Sequence, residues 1–172
     1  MGCKGVEVPL IALLAAVMPI ASAHAEGRMA IAIFRDWGAF RDGPAGAPTR
    51  CYAIAEPPKG AASAGHGAFA SVASWPARRV RGQIAIRLSR AAHAGTPVTL
   101  TVGDRSFALL SRDTDAWAHD RRQDALIVSA MRSGSSMSIS GVDRAGHPFA
   151  DVYRLRGAAS AIDAAALACP MR

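Results

Sequence analysis

The chain has 172 residues and a formal net charge of +7 at pH 7, and 51% of its residues are hydrophobic. This length argues against several domains and suffices to bury a core, so no cofactor is needed to explain folding. Beyond residue 25 the only lysine is Lys59, and the other cations are scattered arginines, densest at Arg78, Arg79 and Arg81. A basic surface attracts polyanions, although an ordinary solvated surface is the simpler explanation for scattered arginines.

The N-terminal segment has the three parts of a secretory signal peptide. A short region with one lysine precedes an apolar run over residues 9–20, and small residues then precede two cleavage positions, after Ala23 and after Ala25. This arrangement is typical of exported precursors. We therefore predict a signal peptide over residues 1–25 and a periplasmic or secreted mature chain over residues 26–172.

The same apolar run is a poor membrane anchor. It holds about a dozen residues, fewer than the roughly 20 that span a bilayer. Cys3 precedes the run, so it is not placed as a lipid-anchored cysteine at a cleavage site. No later segment is apolar enough to span a membrane, which predicts a mature chain without a transmembrane segment.

Two cysteines, Cys51 and Cys169, remain once a signal peptide carrying Cys3 is removed. An even number in an exported protein predicts a disulfide bond. In the chain-entropy treatment a bond closing so long a loop contributes about 4–5 kcal/mol. A redox or catalytic cysteine is disfavoured because the sequence has no Cys-x-x-Cys motif.

Glycine, proline and aspartate interrupt the mature chain about every ten residues, which is typical of β-rich domains. Residues 59–67 are rich in Gly, Ala and Ser and predict a mobile loop. The clearest alternation places Ile84, Ile86 and Leu88 on one face of a strand, with Gln83, Arg87 and Ser89 on the other. Short apolar or alternating runs predict strands over residues 30–34, 36–40, 51–55, 69–75, 83–89, 98–102, 105–110, 137–140 and 149–155.

Two segments have helical rather than alternating periodicity. Asp120 predicts an N-cap for a helix over residues 121–133, which Gly134 ends. Ser160 and Asp163 predict a second capping box, and the following helix would press an apolar face that includes Cys169 onto the sheet. The predicted fold is a single mostly-β domain, sandwich-like, with two short helices, one of them C-terminal.

The sequence carries no recognised catalytic motif or metal motif. The histidines of the mature part lie in predicted loops without zinc-site spacing, at His66, His93, His119 and His147. Asp113 and Asp115 form only a fragment of a calcium motif, and surface ion pairs with nearby arginines explain them better. We therefore predict neither a metal site nor an enzyme. The remaining hydrolase hypothesis pairs Glu56 with Asp113 or Asp115 as acid and base.

Three aromatic residues have both a structural and a binding interpretation. Trp75 beside the arginines at 78, 79 and 81 is the only patch that suits nucleic acid, but a core position is favoured and nucleic acid is not an expected partner. Trp37 and Phe40 would flank a ligand groove or pack in the core, and the core is favoured.

Several segments, taken in order, resemble the invasion-associated locus B family of exported alphaproteobacterial proteins. These segments are residues 36–40, 50–57, 75–76, 127–134 and 151–158, followed by an Ala-rich helix with Cys169. The resemblance implies a periplasmic or surface-associated β-rich domain without known catalytic residues, and some members are linked to host-cell invasion. Many members carry further cysteines after the position of residues 107–110, where this chain has Ser111, so a second disulfide is missing.

Three functional hypotheses follow. The first is a non-enzymatic exported protein that binds or supports an envelope component. The second is a hydrolase acting on envelope carbohydrate or peptidoglycan through the carboxylates named above. The third is a polyanion-binding module that uses Arg78, Arg79 and Arg81. The sequence alone names no ligand and no oligomeric state.

Overall fold

The computed structural model describes residues 1–2, 27–44, 46–58 and 67–170. The predicted signal peptide, apart from its first two residues, and nearly all of the predicted loop at 59–67 lie outside these ranges. None of the helices in the described part is both long enough and apolar enough to cross a bilayer.

The described chain forms one antiparallel sheet of ten strands in the order β1-β2-β3-β4-β5-β8-β7-β6-β9-β10. Two helices, α1 (Arg121–Ser133) and α2 (Ala158–Ala168), pack against it. The strands are β1 (Met29–Phe34), β2 (Trp37–Asp42), β3 (Arg50–Ala55), β4 (Phe69–Trp75), β5 (Val80–Arg87), β6 (Val98–Val102), β7 (Arg105–Arg112), β8 (Asp115–Trp117), β9 (Ser136–Val142) and β10 (Pro148–Arg154).

The sheet curls so that its two ends meet. Strand β7 pairs with β6 through residues 105–109 and with β8 through residues 110–112, and so joins the two halves. At the ends, the Asp36 N–H donates to the Arg156 carbonyl at 3.2 Å. The Trp37 indole N–H donates to the Arg154 carbonyl at 2.9 Å. The predicted mostly-β single domain with two helices, one of them C-terminal, is confirmed, and its strands form one continuous sheet.

The core is built from the inward faces of the strands. Ile84 and Ile86 of β5 are 2% exposed, and Leu88 beyond them is fully buried, as the alternation predicts. Ser89, predicted on the outer face, is also buried, because the strand ends at Arg87 and the alternation does not continue. Trp37 is buried as predicted, whereas Trp75 is only half-buried.

The first helix follows the sequence prediction and the second departs from it. The Asp120 carboxylate accepts from the Gln123 N–H at 2.7 Å and caps α1. The second helix begins at Ala158, two residues before the predicted cap, because Gly157 adopts a left-handed conformation with φ of 90° and starts the helix there. Ser160 consequently lies inside α2 and caps nothing.

The disulfide bond joins Cys51 of β3 to Cys169 at the end of α2, with 5.8 Å between the Cα atoms. Both cysteines are 1% exposed. The predicted pairing is confirmed. Because the bond lies under the last turn of α2, it fixes this helix against β3.

Candidate ligand-binding groove

A groove of about 880 Å³ lies between α1 and α2, above strands β4 and β5. Its size falls within the range of about 300–1,000 Å³ typical of small-molecule sites. Val72 of β4 contributes to its apolar lining, together with Val128 of α1 and Ile162 of α2. Three charged side chains, Arg81, Arg132 and Asp163, line it as well. The groove therefore combines an apolar surface with a few charged groups.

The groove stays open because the helix faces that border it carry short side chains. Ala125 and Ser129 are four residues apart on α1, so they lie on the same face. Ala165 and Ala166 border the groove from α2, and Gly82 has no side chain to fill it from β5. Longer residues at these places would close the space between the two helices.

The charged groups of the groove carry a net positive charge. The Arg132 guanidinium donates to the Asp163 carboxylate at 2.6 Å, and this hydrogen bond lowers the pKa of Asp163. Both side chains are substantially exposed, so the pair contributes at most about 1 kcal/mol to stability. Arg81 forms no ion pair within the described part of the chain.

The structure places the predicted basic cluster beside this groove. Arg78 ends the short 3-10 turn after β4, and Arg79 follows in a left-handed conformation with φ of 50°. Arg81 then lies in β5 and lines the groove, which the other two do not. All three arginines are exposed. A polyanion-binding role for this cluster stays a prediction.

Glu56 and Asp115, one of the two carboxylate pairs of the hydrolase hypothesis, lie far apart. The strand register places Ala55, Ala70, Ile86 and Ala116 in one row across β3, β4, β5 and β8. Glu56 follows Ala55 at one end of this row, and Asp115 precedes Ala116 at the other. Three strand spacings separate Glu56 from Asp115 by about 14 Å, more than the roughly 5–9.5 Å between catalytic carboxylates of glycosidases. Asp115 instead accepts from Arg87 at 2.8 Å.

Asp113 is also held in an ion pair, with Arg144 at 2.9 Å. The predicted surface ion pairs of the acidic run thus exist, but their partners are distant in sequence. In the part of the chain that the structure describes, no group of three or more His, Cys, Asp and Glu side chains is arranged to hold a metal. His93, His119 and His147 are exposed, and His66 lies outside the described residues.

A buried polar cluster went unrecognised in the sequence. Asp151 is fully buried in β10, between the inward-facing Phe149 and Tyr153. One of its oxygens accepts from the Ser89 N–H at 2.9 Å. Its other oxygen, the Tyr153 hydroxyl and the Ser89 hydroxyl find no hydrogen-bond partner among the residues that the structure describes. Burial raises the pKa of Asp151 more than the hydrogen bond from the Ser89 N–H lowers it.

With rising pH, the free energy of unfolding is expected to fall less in Asp151→Asn than in the unmodified protein. The folded-state pKa of Asp151 lies above its unfolded value near 3.8. Between these two values the folded state retains a proton that the unfolded state releases, so the free energy of unfolding falls as the pH increases. Asparagine does not titrate and still offers an oxygen to the Ser89 N–H.

Thermal unfolding measured at a series of pH values from about pH 4 upwards tests this prediction. Each unit by which folding raises the pKa changes the free energy of unfolding by about 1.4 kcal/mol. The difference in Tm between Asp151→Asn and the unmodified protein should grow in favour of the variant as the pH rises. The same change at exposed Asp104 is the control. A difference that stays constant across the pH range would contradict the raised pKa.

Comparison with solved structures finds a related fold. The chain is similar to the crystal structure of invasion associated protein B from Bartonella henselae, with a TM-score of 0.53 and 15% sequence identity. The match covers 78% of this chain and 94% of the other. At this identity the likeness establishes a shared fold. No family model matches the chain, and no curated protein matches it.

Proposed function

We propose that this chain is a non-enzymatic exported protein that binds a component of the cell envelope in the groove between α1 and α2. The observation that carries the proposal is the groove itself, which has the volume and the largely apolar lining of a ligand site. Its position between two helices, one of them fixed by the Cys51–Cys169 bond, gives a preformed site.

Export is supported by two independent features. Buried disulfides form and persist in oxidising compartments, and this chain has one. The sequence of residues 1–25 predicts a cleavable signal peptide. A role in host-cell invasion is not part of the proposal, because likeness at this identity concerns the fold alone.

The side chains that line the groove are the reason for proposing a binding protein rather than an enzyme. Ser74 and Ser129 border the groove, but no histidine or cysteine is among its lining residues to act as a base or nucleophile. The carboxylate of Asp163 is held by Arg132. Such a surface suits reversible binding better than covalent chemistry.

Polyanion binding is the second candidate function. It is favoured by the exposed Arg78, Arg79 and Arg81, which lie together at one turn beside the groove. Binding of this kind releases counterions and therefore weakens steeply as salt increases. Affinity for heparin that falls about tenfold or more between low and physiological salt would support it, and salt-independent affinity would contradict it.

Closing the groove with a bulky residue tests the first candidate. Ser129 is exposed and borders the groove, so Ser129→Trp should fill the space without disturbing the core. Native mass spectrometry of protein recovered from the producing cell's envelope fraction should show a bound small molecule on the unmodified chain and none on Ser129→Trp. Leu126→Trp, on the same helix outside the groove, should keep the adduct. Equal adducts on all three proteins, or none on any, would contradict the proposal.

A further inference from the structure

We infer that the occupant of the groove is a single-chain lipid with an anionic head group. The acyl chain lies along the apolar lining, and the head group is held by Arg81. This inference rests on the proposed function of the groove and adds the chemical class of its ligand. It draws on the exposed apolar residues at the groove, the charge at its rim and the backbone pairing beneath it.

The apolar part of the ligand is indicated by side chains that the protein leaves uncovered. Leu167 of α2 borders the groove and is 82% exposed, more than any other large hydrophobic residue described from residue 27 onwards. Val128 of α1 and Ala166 of α2 are partly exposed to the same space, whereas Ile162 lies buried beneath it. A hydrocarbon chain laid between the helices would remove this apolar surface from water, which is the dominant favourable term in such association.

The two arginines that line the groove differ in whether they have an ion-pair partner, and this difference indicates the head group. Arg132 already binds the Asp163 carboxylate, whereas Arg81 has no ion-pair partner among the described residues. A guanidinium group presents a planar set of donors that matches a carboxylate or a phosphate. Arg78 and Arg79, on the preceding turn, add positive potential that attracts an anion to this end of the groove.

A peptide fits the site less well than a lipid. Strand β4 is paired on both sides. Strand β5 pairs with β8 only through residues 85–87, but nearer the groove its Ile84 N–H donates to the Asp124 carboxylate of α1 at 2.8 Å, so α1 covers that side of the strand and hinders the addition of another strand. A peptide backbone laid against the apolar lining would leave its N–H and C=O groups without partners, which is costly. An acyl chain has no such groups to satisfy.

Titration with two related lipids tests the inference. Dodecanoate and its glycerol monoester have the same acyl chain, but the head group of dodecanoate is anionic and that of the monoester is neutral. Both lipids are used below the concentrations at which they aggregate. We expect the unmodified protein to bind dodecanoate more tightly. Arg81→Gln should weaken dodecanoate binding about tenfold, since a hydrogen bond to a charged group contributes about that much, and should leave binding of the monoester unchanged. Arg154→Gln, at an exposed arginine of β10 outside the groove, is the matched control and should change neither affinity more than about twofold.

Three other results would each overturn the inference, and each identifies a different part of it as wrong. Equal affinity for the two lipids, unchanged by Arg81→Gln, would overturn the anionic head group while leaving the groove as the binding site. Absence of binding by both lipids, with an envelope adduct that Ser129→Trp removes, would overturn the lipid and retain the proposed function. A dimer that Ser129→Trp converts to a monomer would show that a second copy occupies the groove, and this too would overturn the inference.

Discussion

Replacing Gly157 with alanine is expected to lower the free energy of unfolding by more than about 4 kcal/mol, among the largest effects of a single substitution. An added Cβ would stand 1.8 Å from the Phe34 carbonyl oxygen, far inside van der Waals contact. The backbone at Gly157 also has φ of 90°, which L side chains rarely adopt. The clash would separate the end of β1 from the start of α2, where the two ends of the sheet meet. Denaturant unfolding followed by circular dichroism measures the loss.

Gly146 provides the matched control for this substitution. It has a similar φ of 84°, but an added Cβ would meet nothing within 4 Å. Gly146→Ala therefore carries only the cost of the backbone conformation, about 1–2 kcal/mol. If the two alanine variants lose equal stability, the close approach of Gly157 to Phe34 does not occur.

Removing the Cys51–Cys169 bond is expected to cost about 2–5 kcal/mol of stability. The bond joins residues 118 apart in sequence, so its loss frees a large part of the unfolded chain. In the folded state it also releases the last turn of α2, which borders the groove. The double alanine variant, Cys51→Ala with Cys169→Ala, avoids placing two hydroxyl groups in the core. Unfolding by guanidinium chloride, compared with the oxidised protein, measures the difference.

Reduction of the unmodified protein provides an independent check on that value. Oxidised protein treated with reductant should approach the stability of the double alanine variant, whereas the variant itself should not respond. A variant as stable as the oxidised protein would contradict a structural role for the bond. A stable variant that no longer bound ligand would instead indicate that the bond acts on the groove alone.

Much of the fold could be predicted because local signals agree with the tertiary structure. Alternation identified β5 and β6, since Ile84 and Val98 begin runs whose every second residue is buried. The Asp120 cap and Gly134 fixed both ends of α1. The cysteine pairing followed from the two cysteines that remain once the predicted signal peptide is removed.

Other elements depend on contacts that local patterns do not contain. Strand β8 has three residues, too few for alternation to be recognised, and it exists because it pairs with β5 and β7. The start of α2 is set by Gly157, whose role depends on its approach to Phe34 across the sheet. Ser160 matched the pattern of a cap, but the helix had already begun.

The candidate site, like the fold, could be predicted from the sequence only in part. The cluster at residues 78, 79 and 81 was visible in the sequence as a local concentration of charge. The groove was not, because it forms where α1 and α2 meet above the sheet, and its residues come from four elements. The Ala-rich composition of α2 could have suggested shallow packing, since short side chains leave space between a helix and its neighbours. Asp151 was detectable only as a polar residue on the inward face of β10.

Amide NMR of the isotopically labelled protein, titrated with dodecanoate, tests the groove as the binding site most directly. We predict chemical-shift changes concentrated at Val72, Arg81, Ser129 and Ala166, which border the groove from four different elements. The amides of β9 and β10, on the far half of the sheet, should remain unchanged. Shifts confined to surfaces outside the groove would contradict the account, as would the same shifts persisting in Ser129→Trp.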